Sequence, residues 1–288
     1  MPKVDNAVIM AAGTSSRFAP LSYEKPKGLI EVKGEVLIER QIRQLREAGV
    51  KEIYVVTGYK AEAFQYLEEK FGVQLRHNPY YDTRNNNASI KAVEDILSNT
   101  YVCSADNYFT QNPFEREVPG AYYAAVYSNG PTDEWCIKTD QDGFIESVTI
   151  GGENAWYMLG HTFWDENFSK KFVTILDEEY DEPETADKLW ENIYLEHTDE
   201  LHMRMRKYPS DFIFEFDTLD ELRTFDKSYI ADTRSKILKN ISRDLDVPEA
   251  DIYNIKALKD RKTTEAIGFT FEADRKQHTY LYDGSLRD

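Results

Sequence analysis

Cysteine and positive charge are both scarce in this sequence. Its 288 residues include 2 cysteines, Cys103 and Cys136, with no CxxC spacing, which argues against a disulfide scaffold or a zinc knuckle. Lysine and arginine number 35 against 52 acidic residues, a formal net charge of −17. Because such an acidic surface repels a phosphate backbone, duplex nucleic acid is not expected as the main partner.

Long apolar runs, a leader segment and paired histidines are missing as well. No apolar run approaches the roughly 18 residues of a membrane span, and the chain opens MPKVDNAVIMAAG, without a basic region followed by an apolar one. We therefore predict no membrane span and a cytoplasmic location. The 5 histidines lack a spacing such as HxxxH, so none is predicted to bind a metal.

Apolar residues, by contrast, are plentiful, and their pattern predicts an α/β fold. They make up 41% of the chain, which is enough for a sizeable core. Continuous apolar runs at residues 7–12 and 53–57 are typical of buried parallel strands, and residues 36–48 between them have helical spacing. We predict a Rossmann-like, doubly wound and mainly parallel sheet.

The second half of the chain has a different pattern. From residue 118 strand-like stretches follow one another with few helices, which predicts a β-rich insertion. The first domain is predicted to span residues 1–230. Residues 236–288 are predicted to form a small α+β accessory element, with a helix at 237–245 and strands at 252–258, 266–273 and 279–282.

The most specific signal is the segment MAAGTSSRFAPLSYEKPKG at residues 10–28. A buried strand ends in small residues, a polar turn follows, and the cations Arg17 and Lys27 come after the glycine. Small residues let phosphate groups approach main-chain N–H groups, and arginine adds a bidentate cation. We therefore predict that Arg17 and Lys27 are catalytic, although a plain strand-to-helix turn with solvated cations is the alternative. The predicted phosphate-binding loop consists of Ala11, Ala12, Gly13, Thr14 and Ser15.

This signature resembles that of nucleotidyltransferases that activate phosphorylated small molecules, the sugar-nucleotide pyrophosphorylase superfamily. Over roughly residues 5–227 the chain is similar to bacterial CTP:phosphocholine cytidylyltransferases. Two positions depart from the pattern, because Ser15 stands where glycine is frequent and Val36 where proline is common. The other segments that carry the resemblance are residues 55–59 (VVTGY), 85–89 (NNNAS), 105–108 (ADNY), 133–135 (DEW), 163–165 (FWD), 189–190 (LW) and 214–217 (FEFD).

The resemblance implies a Mg²⁺-dependent enzyme that transfers CMP from CTP to phosphocholine and releases pyrophosphate. It also implies that Asp106 and Asp217, each placed just after a predicted strand, share the metal ion. The residues alone leave other roles open, namely helix N-capping for Asp217 and a solvated turn for Asp106. Nucleotide recognition is expected at polar and small positions beyond the loop, since asparagine and serine offer both donors and acceptors. These positions are Thr57, Asn85, Asn86, Ser89 and Ala105.

Aromatic and acidic residues are predicted to form the acceptor site. Aromatic rings could surround a quaternary ammonium group through cation–π attraction, and nearby carboxylates could add negative charge. An aromatic residue on an amphipathic helix could equally belong to the core. A primary amine, such as that of 2-aminoethylphosphonate, would favour carboxylates over an aromatic cage. The predicted acceptor residues are Asp133, Glu134, Trp135, Asp187, Trp190 and Tyr194.

Other functions stay open from the sequence alone. The same chemistry on 2-aminoethylphosphonate is the nearest alternative, and a sugar 1-phosphate is a more distant one. A nucleotide-binding regulator, with residues 236–288 as its interaction surface, would bind without turnover. That segment faintly resembles the opening strands of choline-kinase-like phosphotransferases, which suggests an accessory or dimerisation element, so a homodimer is also open.

Overall fold

The computed structural model describes residues 1–260 and 266–287. It divides into two compact units. Unit 1 consists of Met1–Gly13 and Val36–Glu215, and unit 2 consists of Thr14–Glu35 and Phe216–Asp288. This grouping puts the segment of Arg17 and Lys27 with the C-terminal part of the chain. The functional boundary between residues 1–230 and 236–288 stays a prediction, because compactness does not test it.

The strands and helices alternate along the first half of the chain. The strands are β1 Asn6–Ala11, β2 Glu31–Val32, β3 Glu35–Val36, β4 Glu52–Thr57, β5 Gln74–His77, β6 Thr100–Ser104, β7 Tyr108–Phe109, β8 Tyr122–Tyr127, β9 Pro131–Thr139, β10 Ile145–Glu153, β11 Trp156–Trp164, β12 Arg204–Lys207, β13 Ile213–Phe214, β14 Tyr253–Lys259, β15 Ala266–Ala273, β16 Lys276–Leu281 and β17 Leu286–Arg287. The α-helices are α1 Leu21–Glu24, α2 Leu37–Glu47, α3 Tyr66–Phe71, α4 Asn87–Lys91, α5 Glu166–Glu179, α6 Trp190–Glu196, α7 Leu219–Phe225, α8 Ser228–Ala231 and α9 Lys236–Leu245. Short 3-10 turns lie at Ser16–Phe18, Lys27–Leu29, Ala61–Phe64, Glu94–Ile96, Pro183–Asp187 and Glu249–Asp251.

Unit 1 is built on a central sheet whose core is parallel, as predicted. Strand β1 lies between β4 and β6, β5 extends the sheet beyond β4, and these pairings are all parallel. Ala7, Val8 and Ile9 of β1 are completely buried, which is why this strand reads as a continuous apolar run. The Rossmann-like α/β prediction is confirmed.

The β-rich insertion forms the other half of the same sheet. Strand β11 pairs antiparallel with β6 and with β8, and β9 and β10 form a long antiparallel hairpin beside β11. Strand β12 then joins the free edge of β8 in parallel. The strands predicted from residue 118 onward therefore complete the sheet rather than forming a separate layer.

Helix α2 shows why the periodicity of the first half could be read from sequence. Its apolar positions Leu37, Ile38, Ile42 and Leu45 are all buried. Gly49 follows the helix with φ +87°, a left-handed conformation that glycine adopts without a Cβ clash.

The helical spacing of Ile90, Val93, Ile96 and Leu97 predicts one amphipathic helix, and this prediction is wrong because the helix is broken in the structure. Helix α4 ends at Lys91, and Val93 has φ −130° and ψ 13°, outside helical geometry, before a 3-10 turn begins. Val93 is completely buried and packs into the apolar cluster that contains Val8 and Val56. Packing on the sheet therefore overrides helical propensity at this point.

Unit 2 contains an antiparallel sheet in the order β14, β15, β16, β17. Strand β15 coincides with the predicted strand at residues 266–273, and β14 and β16 lie close to the other two predictions. Phe269 and Phe271 of β15, with Leu238 and Ile241 of α9, are buried. Across the described residues, no helix combines the length and the apolar character needed to cross a membrane.

Candidate active site

The carboxyl ends of the parallel strands in unit 1 bring several predicted nucleotide-site residues to one edge of the sheet. Ala11 ends β1, Thr57 ends β4, and Ala105 follows β6 directly. Ligands of open α/β sheets bind outside this edge. A main-chain hydrogen bond joins the ends of β6 and β1, in which the N–H of Ala105 donates to Met10 O at 3.0 Å.

Gly58 allows a close approach between the ends of β1 and β4. A Cβ atom at this position would lie 2.5 Å from the Cβ of Tyr81 and 2.9 Å from Ala12 O. The adjacent N–H of Tyr59 donates to that same oxygen at 3.0 Å. Any side chain at residue 58 would therefore push the loop after β4 away from the end of β1.

In the predicted phosphate-binding loop, Gly13 borders open space and Ser15 has a strained backbone conformation. A Cβ at Gly13 would meet no atom of the described chain within 4 Å, so the main chain there is accessible to a ligand. Ser15 has φ 47° and ψ 44°, the left-handed region. This conformation costs a residue with a Cβ roughly 1–2 kcal/mol, a strain that glycine would avoid.

Unit 2 brings the predicted cations together around one carboxylate. Asp217 accepts from Arg17 Nη1 at 2.8 Å and from Lys27 Nζ at 3.4 Å. Lys27 is 5% exposed, whereas the side chain of Arg17 is 76% exposed. The structure thus joins three residues that are up to 200 positions apart in sequence, and two positive groups face a single negative one.

The helix-capping alternative for Asp217 is wrong. The N-cap of α7 is Thr218, whose side chain accepts from Glu221 N, while the Glu221 side chain accepts from the main-chain N–H groups of Thr218 and Asp217. A capping box therefore satisfies the start of the helix. The carboxylate of Asp217 takes no part in it and instead contacts the two cations.

The turn that carries Asp106 is held from helix α2. Gln41 Nε2 donates to Ser104 O at 2.8 Å and to Asn107 O at 2.9 Å, one residue on each side of Ala105-Asp106. Within residues 1–260 and 266–287, no group of three or more His, Cys, Asp or Glu side chains is placed to hold a metal ion. Asp106 and Asp217 each offer a carboxylate, a ligand type that suits Mg²⁺, and their sharing of one ion stays a prediction.

Asn85 and Asn86 make bonds within the protein. Asn86 Oδ1 accepts from Trp190 N at 2.7 Å and its Nδ2 donates to Glu191 Oε2 at 3.1 Å. Asn85 Nδ2 donates to Asp187 O at 3.1 Å. These amides therefore tie the loop before α4 to the start of α6.

Ser89 and Thr57 are also engaged. Ser89 is buried and its hydroxyl accepts from Asn78 Nδ2 at 3.2 Å, while Thr57 Oγ1 donates to Arg76 O at 3.5 Å. Like the two asparagines, these residues therefore have hydrogen-bond partners within the protein. Direct contact of any of the four with a nucleotide stays a prediction.

Trp190 and Tyr194, two predicted walls of the acceptor site, are core residues. Trp190 is 1% exposed and Tyr194 is completely buried. The Trp190 ring lies 5.0 Å from Trp164 and 5.8 Å from Tyr123, between centroids. Their burial weighs against contact with a substrate in this conformation. Both rings lie on the apolar face of an amphipathic helix, which packs inward, as in the alternative given from sequence.

The other predicted acceptor residues are more accessible. Trp135 is partly buried against the core, and Asp133 and Glu134, its neighbours on β9, are exposed. Asp187, at the end of a 3-10 turn, is exposed too. The structure leaves their assignment as a prediction.

Unit 1 also contains a group of acidic and aromatic residues that includes Glu134, one of the predicted acceptor residues. This acid–aromatic group consists of Tyr123, Tyr157, Glu134, Glu191 and Glu215. Tyr123 donates its hydroxyl to Glu191 Oε1 at 3.2 Å. Burial raises the pKa of Tyr123, and the charges of Glu191 and Glu215 raise it further. Burial likewise raises the pKa of Tyr157, with added repulsion from Glu134 and Glu215.

Glu191 and Glu215 are anchored by amides. Burial raises the pKa of Glu191, an effect that hydrogen bonds from Asn86 and Tyr123 partly offset. Glu215 Oε2 accepts from Asn107 Nδ2 at 3.3 Å, next to the turn that carries Asp106. Sequence signals existed for Glu134, within the DEW segment, and for Glu215, within the FEFD segment, and Glu191 directly follows the LW segment.

Comparison with known proteins agrees with this geometry. Residues 7–134 match the MobA-like NTP transferase domain. The chain is 33% identical over 221 residues to choline-phosphate cytidylyltransferase of Streptococcus pneumoniae, an alignment that covers 77% of this chain and 96% of that protein. It is 34% identical over 235 residues to 2-aminoethylphosphonate cytidylyltransferase of Lancefieldella rimae, covering 80% of this chain and 95% of that protein.

A solved structure matches at the level of the whole fold. It is that of CTP:phosphocholine cytidylyltransferase from Streptococcus pneumoniae, with a TM-score of 0.75, 32% identity, and coverage of 79% of this chain and 99% of that one. The fold, the strand-end loop and these relatives define a nucleotidyltransferase. The chain belongs to the family of bacterial CTP:phosphocholine cytidylyltransferases, and the regulator alternative loses its support because the relatives are enzymes.

Proposed function

We propose that this protein transfers CMP from CTP to phosphocholine, giving CDP-choline and pyrophosphate. The observation that carries the proposal is the arrangement of Arg17 and Lys27 around Asp217, in a segment that continues a phosphate-accessible loop. A carboxylate that holds two cations in place positions them to bind a polyphosphate, which is negatively charged like the carboxylate itself.

The chemistry is an in-line displacement at phosphorus. The phosphate oxygen of the acceptor attacks the α-phosphorus of CTP, the new P–O bond forms as the bond to the bridging oxygen breaks, and pyrophosphate leaves with the electron pair. No covalent enzyme intermediate is needed. Arg17 and Lys27 neutralise the negative charge that grows on the leaving pyrophosphate and on the α-phosphate, so the rate gain comes from positioning and electrostatics.

Asp106 and Asp217 are the proposed carboxylate ligands of Mg²⁺. When bound, the ion supplies charge neutralisation on the triphosphate oxygens and orients the leaving group. Gln41 fixes the turn of Asp106, and Thr218 leaves Asp217 available by capping α7 in its place. Gln41 thus fixes the main chain of the Asp106 turn, while the Asp217 carboxylate is held by its ion pairs with Arg17 and Lys27.

The acid–aromatic group is the proposed site for the positive end of the acceptor. Its three carboxylates would attract a cation by charge, and Tyr157, the less buried of its two tyrosines, would add a ring face. Glu191 already accepts from Tyr123 and Asn86, and Glu215 from Asn107. Because these carboxylates have protein donors, they suit a quaternary ammonium, which brings charge but no N–H group.

A second acceptor is 2-aminoethylphosphonate, the substrate named for the relative that is 34% identical. Its primary amine would donate hydrogen bonds to carboxylates, and the exposed Asp133 and Asp187, outside the acid–aromatic group, could accept them. A sugar 1-phosphate is less favoured, since it would bring no cation to the acid–aromatic group.

The cytoplasmic location predicted from sequence is kept as a proposal, and a homodimer stays open. The cytoplasm fits an enzyme whose two substrates are small phosphorylated metabolites, with no nucleic acid among its partners.

The test is product formation with a panel of acceptors. The protein would be incubated with CTP, Mg²⁺ and phosphocholine, 2-aminoethylphosphonate, phosphoethanolamine or glucose 1-phosphate, while pyrophosphate release is followed and the product identified by mass. CDP-choline formation that stops on addition of EDTA is expected. Turnover of glucose 1-phosphate above that of phosphocholine would refute the cation-site assignment, and no turnover with any acceptor would refute the function.

A further inference from the structure

The segment that carries Arg17 and Lys27 packs against the C-terminal part of unit 2. Both belong to the same compact unit, which joins residues 14–35 to residues 216–288. The alignment with the pneumococcal enzyme spans 96% of that protein but 77% of this chain, so this chain has additional residues outside the alignment. The contacts between the two parts of unit 2 indicate what the additional residues do.

One attachment is a helix cap supplied from the signature segment. Glu24 Oε1 accepts from the main-chain N–H groups of Lys236 at 2.7 Å and Ile237 at 3.2 Å, at the start of α9. The N-terminal end of a helix favours a carboxylate because its N–H groups lack internal partners. Glu24 precedes Lys27 by three residues, so this bond anchors the approach to the buried lysine.

A second attachment is a stacked pair of rings. Tyr23 and Tyr282 lie face to face, with centroids 3.6 Å apart and an angle of 4° between their planes. Tyr23 belongs to α1, between Arg17 and Lys27, and Tyr282 follows β16. The main-chain N–H of Tyr282 donates to Ile267 O at 2.9 Å, which fixes the ring to the C-terminal sheet.

The helix after Asp217 is attached to the same element. Arg223 of α7 is 7% exposed and donates from Nη1 to Ile252 O and from Nη2 to Glu249 O, both at 2.6 Å. Asp220 Oδ2 accepts from Asn254 N at 2.9 Å. The C-terminal element thus contacts the segment between Arg17 and Lys27 and also the helix α7 that follows Asp217.

We propose that the C-terminal element, residues 236–260 and 266–287, is a brace that positions the CTP-binding residues Arg17, Lys27 and Asp217. The proposal rests on the proposed function. Arg17 lies on a short 3-10 turn, is 76% exposed, and follows the strained Ser15, so local structure alone gives it little support. Charge stabilisation of a triphosphate depends on fixed geometry, and the brace supplies it from outside the signature segment. Tyr282 and Glu24 are positioning residues in this scheme.

The test compares Tyr282→Ala with Tyr282→Phe and with a matched control, Tyr253→Ala. Tyr253 lies in the same sheet, is 42% exposed, and makes no ring contact within the described chain. Tyr282→Ala is expected to weaken CTP binding and raise the KM for CTP roughly 2- to 10-fold, the range of a lost aromatic pair. The KM for phosphocholine should stay unchanged, and Tyr282→Phe should restore the KM for CTP because it keeps the ring.

A second pair of variants tests the helix cap. Glu24→Ala should raise the KM for CTP, while Glu24→Gln, which keeps an acceptor oxygen, should recover most of the affinity. Thermal unfolding of every variant shows whether the loss merely follows global stability. The brace is overturned if Tyr282→Ala behaves like Tyr253→Ala, if Tyr282→Phe fails to restore CTP affinity, or if both KM values rise together with the fall in Tm.

CTP binding measured by calorimetry separates this proposal from the function on which it rests. If wild-type protein binds CTP with Mg²⁺ but turns over no acceptor, the proposed function fails while the brace is still tested by CTP affinity. If turnover of phosphocholine is normal and the Tyr282 and Glu24 variants bind CTP as the wild type does, the function stands and the brace fails.

Discussion

The two cations of the site should contribute very unequally to turnover. Lys27 is 5% exposed and Arg17 is 76% exposed. At about 4 Å, two unit charges interact by roughly 4 kcal/mol at an effective dielectric constant of 20 and by about 1 kcal/mol in bulk water. With about 1.4 kcal/mol per factor of ten, Lys27→Ala should lower kcat/KM by about 1,000-fold and Arg17→Ala by roughly 5- to 10-fold.

The assay is pyrophosphate release with CTP, Mg²⁺ and phosphocholine. Lys25→Ala serves as the matched control, since Lys25 lies two positions before Lys27 but is exposed. We expect Lys25→Ala to change kcat/KM by less than about 3-fold, in line with a solvated charge. Circular dichroism would verify that all three variants are folded. Equal losses for Lys27→Ala and Arg17→Ala, or near-normal turnover of Lys27→Ala, would refute the reasoning from burial.

Three further predictions concern strain, packing and the acceptor cation. Ser15→Gly should leave turnover intact and raise the free energy of unfolding in urea by up to about 1 kcal/mol, because φ 47° costs serine but not glycine; a clear loss of stability would count against strain. Trp190→Ala should lower the free energy of unfolding by about 3–5 kcal/mol, as for other buried aromatics; unchanged stability with a raised acceptor KM would return Trp190 to the acceptor site. Burial raises the pKa of Glu191 above its ordinary value of 4.5, so the folded state keeps this proton to higher pH than the unfolded state does, and the free energy of unfolding falls as the pH rises from 4.5 through the raised pKa. Glu191→Gln should remove this fall and raise the KM for phosphocholine roughly 10-fold. An unchanged KM would exclude Glu191 from the acceptor site.

Much of the fold could be predicted because its signals are local. The buried run of β1 and the apolar spacing of α2 are properties of neighbouring residues, and both elements form where the pattern indicates. The broken helix after α4 shows the limit of such signals, since Val93 leaves helical geometry to pack on the sheet. That choice depends on partners far along the chain.

The candidate site likewise contains residues that a local motif reveals and residues whose contacts lie far along the chain. Arg17 and Lys27 stand within one short motif, and the structure confirms that they lie together. Their contact with Asp217 joins residues 190 or more positions apart, and only a family resemblance indicated a role for that carboxylate. Whether Asn86 is available to a base depends on Trp190 and Glu191, more than 100 positions away, so composition could not reveal that its amide is engaged.

The most direct test of the central claim is the ratio of kcat/KM for phosphocholine to that for 2-aminoethylphosphonate, measured with wild-type protein, CTP and Mg²⁺. The account predicts a ratio above 1, because Glu191 and Glu215 of the acid–aromatic group already have protein donors and favour a cation without N–H groups. A ratio below 1 would contradict the phosphocholine assignment and move recognition of the cation to the exposed carboxylates of Asp133 and Asp187.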